Sequence, residues 1–156
     1  MTGFTQMDPD YGALSRYPVY VFVMYDSEFL YVAADLRDSL GVQPRVAELT
    51  RDFIFAQTDA FGFVLDPLHD RRNTVGFFTN PAGAQLDVQS FDERLIDSDW
   101  NTVWQVRAAI TDSGWACEFA VPWKSLRYPA EATTMGINFE RLHRRFNEWS
   151  VWSPHS

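Results

Sequence analysis

Aromatic rings, amides, a guanidinium and paired carboxylates are the groups in this sequence with chemistry to offer. A flat ring stacks on the C–H face of a pyranose, and a planar amide or guanidinium beside it reaches the neighbouring hydroxyls. Phe55, Trp100 and Trp123 could supply rings; Asn80, Gln85 and Arg51 could supply the polar partners. Trp100 follows an acidic loop and does not sit inside an alternating strand pattern. Most other large aromatics, Trp104 and Trp115 among them, read more plainly as core, because large apolar residues bury first. Asp66 with Asp70, and Asp97 with Asp99, could each begin a calcium cage, which takes about six to eight oxygens. Each aspartate also fits a turn in which the carboxylate caps its own backbone.

The remaining chemistry is thinner. Arg51, Asp52, Asp59, Arg71, Glu118, Arg141 and Arg145 could form a buried or end-of-domain ion network, with Glu118 pairing a residue such as Arg141. His69, His143 and His155 come with no His-Glu-x-x-His string or cysteine pair, so metal or haem ligation has little support. The sequence holds no Gly-x-Ser-x-Gly elbow, and Cys117 falls within a core-facing pattern, so nucleophilic catalysis is not expected. No carboxylate pair is singled out by spacing for glycoside hydrolysis. The expectation is a protein that is not an enzyme.

Those side chains must be carried by strands. Residues 18–25 and 29–36 are rich in β-formers, and Asp26-Ser27-Glu28 punctuates them as a hairpin. Both faces of 18–25 are apolar, which predicts a central strand. Further strands are expected over 60–66, 74–79 and 84–91, with Asn80-Pro81-Ala82-Gly83 as a strong turn. Residues 102–110 and 115–121 alternate around Thr111-Asp112-Ser113-Gly114, the clearest hairpin of the chain. Pro122 can open one helical turn through Leu126, and strands over 135–146 and 148–152 close the chain. The spacing predicts an all-β, antiparallel β-sandwich, jelly-roll-like and immunoglobulin-like in appearance. A length of 156 residues predicts one domain over 1–156.

Composition agrees. Aromatics make up 16% of the residues, which favours sheet over helix. The net charge of −8 leaves a phosphate backbone without counterion release to drive binding, so nucleic acid is a poor partner. One cysteine forbids an intrachain disulfide and leaves the compartment open. No apolar run approaches the ~20 residues of a membrane helix.

Several ordered strings resemble the family 9 carbohydrate-binding module. Tyr25-Asp26 before Leu30-Tyr31-Val32-Ala33 is similar to its first hairpin, and Asp59-x-Phe61 through Leu65-Asp66 to the next strand. Trp100 and Trp104, then Gly114-Trp115-x-x-Glu118, Val121-Pro122-Trp123 and Gly136-Ile137-Asn138-Phe139, continue the match. A bacterial branch, in which the module precedes an outer-membrane β-barrel, is resembled more closely. Its features recur as Arg51-Asp52, His69-Asp70-Arg71, Asn80-Pro81-x-Gly83-x-Gln85-x-Asp87, Asp99-Trp100-x-x-Val103-Trp104, Ser125-Leu126-Arg127 and Arg144-Arg145-x-Asn147-Glu148.

The resemblance implies a non-catalytic module that binds oligo- or polysaccharide in a bacterial envelope or secreted protein. It implies an exported location, outer membrane-associated, periplasmic or extracellular, with a C-terminal barrel as a further partner. Calcium is the one cofactor it brings into view. It also implies a piece of a larger protein, since the family has a Trp-bearing strand ahead of this segment and continues past Trp152-Ser153-Pro154. Departures fall on the sugar clamp. Where the family places a tryptophan, only Phe55 offers a ring; an arginine position on the strand before Asn80 reads Phe78, while the asparagine is kept as Asn80. An alternative follows: an interaction module that docks on the adjoining barrel, its sugar binding lost.

Overall fold

The computed structural model describes residues 1–46, 58–91, 95–97, 103–126 and 128–154. They form eleven strands: β1 (Thr5–Asp8), β2 (Val19–Tyr25), β3 (Phe29–Arg37), β4 (Ala60–Asp66), β5 (Thr74–Thr79), β6 (Gln85–Phe91), β7 (Leu95–Asp97), β8 (Gln105–Thr111), β9 (Gly114–Pro122), β10 (Gly136–His143) and β11 (Glu148–Val151). Antiparallel pairing builds a seven-stranded sheet, β1-β11-β10-β4-β5-β6-β7, and a four-stranded sheet, β2-β3-β9-β8. The two sheets pack face to face as a β-sandwich, as the alternation predicts.

Period-2 burial makes the inner layer. Leu30, Val32, Ala34 and Leu36 of β3, with Trp115, Cys117, Phe119 and Val121 of β9, meet Phe61, Phe63, Phe77 and Phe139 from the larger sheet. Phe119 is the hub. Its ring stands edge-on to Phe63 at 5.1 Å and stacks on Trp104 at 5.7 Å between centroids. The Trp104 indole N–H donates to Asp87 Oδ2 at 3.0 Å, so its one polar atom is satisfied inside the core. In the β8–β9 turn Gly114 has φ +136°, and a Cβ there would lie 1.9 Å from the Leu36 carbonyl oxygen. Only glycine fits.

Three expectations change. β2 is an edge strand, not a central one: among the described residues β3 is its only strand neighbour. Val19 and Val21 face the core, while Phe22 and Met24 are 62% and 67% exposed on the outer face of the smaller sheet. The strand expected over 135–146 ends at His143, where a 3₁₀ turn, Arg144–Phe146, closes on Asn147 at φ +48°. Asp59 anchors that turn by accepting the Arg144 backbone N–H at 2.7 Å. β1 and the short β7, which lie at the two edges of the seven-stranded sheet, were not anticipated. The helical turn after Pro122 is present as a 3₁₀ turn, Trp123–Ser125.

Candidate functional site

Register places a groove on the outer face of the seven-stranded sheet. Phe78 of β5 pairs with Gly62 of β4, and Gly62 pairs with Glu140 of β10, so the three share one row. A Cβ on Gly62 would come within 2.1 Å of the Phe78 ring, so the missing side chain lets that ring lie flat across β4. In the adjoining row Leu142 pairs with Ala60 on one side and Trp149 of β11 on the other. Ala60, Phe78, Glu140, Leu142 and Trp149 line a groove of about 230 Å³. Burial, the larger influence, pushes the Glu140 carboxyl above its ordinary range, against an opposing influence from the Trp149 side chain. The result is two aromatic rings and one desolvated acceptor around a shallow apolar floor.

A larger cleft opens at the far end of β4 and β10. It has a volume of about 580 Å³, with Val23, Leu30, Leu65 and Ile137 as its floor and Tyr25, Trp123 and Tyr128 as its walls. The Trp123 indole N–H donates to the Asp26 carbonyl at 2.9 Å, which fixes the ring against the β2–β3 turn. Tyr25 and Tyr128 stand edge-on to it, with centroids at 6.5 and 6.3 Å.

Among the residues expected to bind ligand, Trp123 sits in this cleft. Asn80 is fully buried, and its Oδ1 accepts the backbone N–H groups of Ala82 and Ala84 at 3.0 and 3.1 Å. That is a turn-capping role, not a ligand contact. Gln85 donates to the Trp104 carbonyl at 3.0 Å, tying β6 to the start of β8. Arg51, Phe55 and Trp100 lie outside the described residues. Asp66 accepts the N–H groups of Asp70 and Arg71, and Asp70 those of Arg72 and Asn73, so all four bonds serve the β4–β5 turn. Asp99 lies outside the described residues, as does the side chain of Asp97. Among the described residues no three His, Cys, Asp or Glu side chains gather as a metal site.

The ion network is real but differently composed. Asp38, Asp59, Arg141, His143 and Arg145 gather at the end of the sandwich away from the cleft. Arg141 is 1% exposed and donates through Nη2 to the Arg37 carbonyl at 2.8 Å. Asp38 accepts from His143 Nε2 at 2.8 Å and from Arg145. Glu118 does not pair with Arg141. It is exposed on the solvent face of the smaller sheet, in register with Arg107. Arg71 is exposed in the β4–β5 turn, and Arg51 and Asp52 lie outside the described residues. Sequence reasoning missed Glu140, Trp149, Tyr25 and Tyr128; the one available signal was Glu140, a charge between the inward Phe139 and Arg141.

A scan against protein-family models finds no match, and no curated protein matches by sequence. Solved structures do match. A carbohydrate-binding module family 9 domain from Caldicellulosiruptor kristjanssonii in complex with glucose superposes with a TM-score of 0.60 at 16% identity, over 96% of this chain and 73% of that one. The fold is that of a family 9 carbohydrate-binding module. A family 9 module from the same organism in complex with cellotriose gives a TM-score of 0.58 at 16% identity, covering 97% of this chain and 71% of that one. A Bacteroides uniformis protein inferred to bind carbohydrate gives 0.73 at 13% identity, covering 99% and 78%. At these identities the likeness establishes the fold of the family 9 module.

Proposed function

We propose that this protein is a non-catalytic carbohydrate-binding module that seats a saccharide in the groove between Phe78 and Trp149. The carrying observation is the groove itself: two rings beside the Glu140 carboxylate, with Phe78 at the position where the family 9 resemblance expects an arginine. The ring faces take pyranose C–H groups, and Glu140 accepts from a hydroxyl. Solved structures of this fold hold glucose and cellotriose, which supports the ligand class. In this reading the module belongs to an exported bacterial protein that recognises or helps to break down polysaccharide. Thermal unfolding with a panel of neutral oligosaccharides tests it. A ligand that binds only the native state adds ~2.7 kcal/mol at a hundredfold excess over its Kd. Trp149→Ala should diminish the rise; a rise undiminished in that variant refutes the groove.

The exposed apolar row of β2 favours a second reading. Tyr20, Phe22 and Met24 are exposed on the outer face of the smaller sheet, a surface suited to a protein partner such as an adjoining outer-membrane barrel. Affinity for that barrel without any glycan response would support docking over sugar binding.

A further inference from the structure

The end cleft is separate from the groove in position and lining. The groove flanks Ala60 at the start of β4 and the cleft flanks Leu65 near its end, about 17 Å away at ~3.3 Å per residue. Among the described lining residues Asp26 is the only ionisable acid or base apart from the two tyrosines. Its carboxylate is turned into the hairpin: Oδ1 accepts the Glu28 and Phe29 N–H groups at 2.8 and 2.7 Å, and Oδ2 accepts the Tyr31 hydroxyl at 3.0 Å. Among the described residues the cleft therefore offers an anionic ligand no counter-charge, and its one carboxylate is already hydrogen-bonded within the hairpin.

What it does offer is hydroxyls over an apolar floor. Ser27, Thr133, Thr134 and the two tyrosines rim it, and Trp123 is held by its indole bond and by its backbone N–H to the Glu28 carbonyl at 3.0 Å. A ring fixed before binding loses little entropy when a ligand stacks on it. We propose that this cleft is a second saccharide site, taking a neutral pyranose unit stacked against the Tyr25–Trp123–Tyr128 rings. The inference rests on the lining of the cleft and does not require the groove to bind. A neutral ligand with one apolar face and a rim of hydroxyls matches the lining; a fatty chain would leave the hydroxyls unused. One glycan spanning both sites would gain from the high effective concentration of its second unit.

The test follows the indole N–H resonances of Trp123 and Trp149 during titration with glucose, galactose, mannose, xylose and cellotriose to millimolar concentration. A saturable shift at Trp123 is expected with at least one sugar, and it should persist in Trp149→Ala. Tyr25→Ala should weaken it about tenfold, the loss of one stacked ring. Tyr25 is 77% exposed, so this variant keeps the fold. A Trp123 signal unmoved by every sugar overturns the inference. So does a shift that vanishes in Trp149→Ala or survives undiminished in Tyr25→Ala. The two readings separate cleanly: Trp149 moving alone leaves only the groove, and Trp123 moving alone leaves only the cleft.

Discussion

Acid should unfold this protein partly through His143, and the effect can be sized. The imidazole is 1% exposed, with Nε2 bound to Asp38 and both Arg141 and Arg145 close by. Tyr17 and Phe146 pack edge-on to it at 5.8 and 4.9 Å, and Glu148 is its partner in register on β11. Burial first, then repulsion from Arg141, lowers its pKa from 6.5 to about 4, against the opposing pull of Asp38. The folded state thus holds His143 neutral, with its Nε2–H donated to Asp38. Between pH 6.5 and about 4 the unfolded chain takes up a proton there and the folded chain does not. Stability therefore rises with pH in that window and is lost on acidification. At ~1.4 kcal/mol per tenfold change in proton affinity, the loss approaches about 3 kcal/mol. His143→Gln keeps an amide donor for Asp38 but cannot titrate. Urea unfolding of both proteins from neutral pH to about pH 4 reads the difference. The wild type should lose about 3 kcal/mol more than the variant, most of it below pH 6.5. Parallel curves, or a wild type that gains stability in acid, would refute the buried neutral imidazole.

Other outcomes follow from the same geometry. Asn80→Ala leaves the Ala82 and Ala84 amides without their acceptor and should cost about 1–3 kcal/mol in chemical denaturation, with saccharide affinity unchanged. Glu140→Gln should stabilise the protein at neutral pH. Burial raises the folded carboxyl above its ordinary 4.5, so its ionisation opposes folding at higher pH, and the advantage of the variant should fade as pH falls towards that value. Phe119→Ala removes the ring that meets Phe61, Phe63 and Trp104 and should cost about 3–5 kcal/mol, read as a lower urea midpoint.

Strands were legible in the sequence because each inner face writes a period of two. Trp115, Cys117, Phe119 and Val121 announced β9, and the structure buries all four. The order of strands in a sheet leaves no such mark. Tyr20, Phe22 and Met24 carry the apolar pattern of a strand buried on both faces, yet they are 41%, 62% and 67% exposed on the outer face of the smaller sheet. An aromatic residue reads the same whether a second sheet covers it or not, so exposure had to come from topology.

That same blindness decided the site. Asn80 has the right chemistry for a hydroxyl, but its carbonyl is consumed by two amides four residues downstream or nearer. Glu140 and Trp149 looked ordinary, one a charge on a strand and the other an aromatic in a short last strand. They matter because Gly62, between Phe78 and Glu140 in the row, has no side chain to fill the space above β4. A groove is made by what is absent from the middle strand and what stands on its neighbours, and those positions lie 16 and 78 residues from Gly62 along the chain. Spacing in one dimension does not encode that adjacency; pairing register does. The local Val121-Pro122-Trp123 string marks Trp123 in the sequence, yet the Asp26 carbonyl that fixes its ring lies 97 residues away and is brought there by the pairing of β3 with β9.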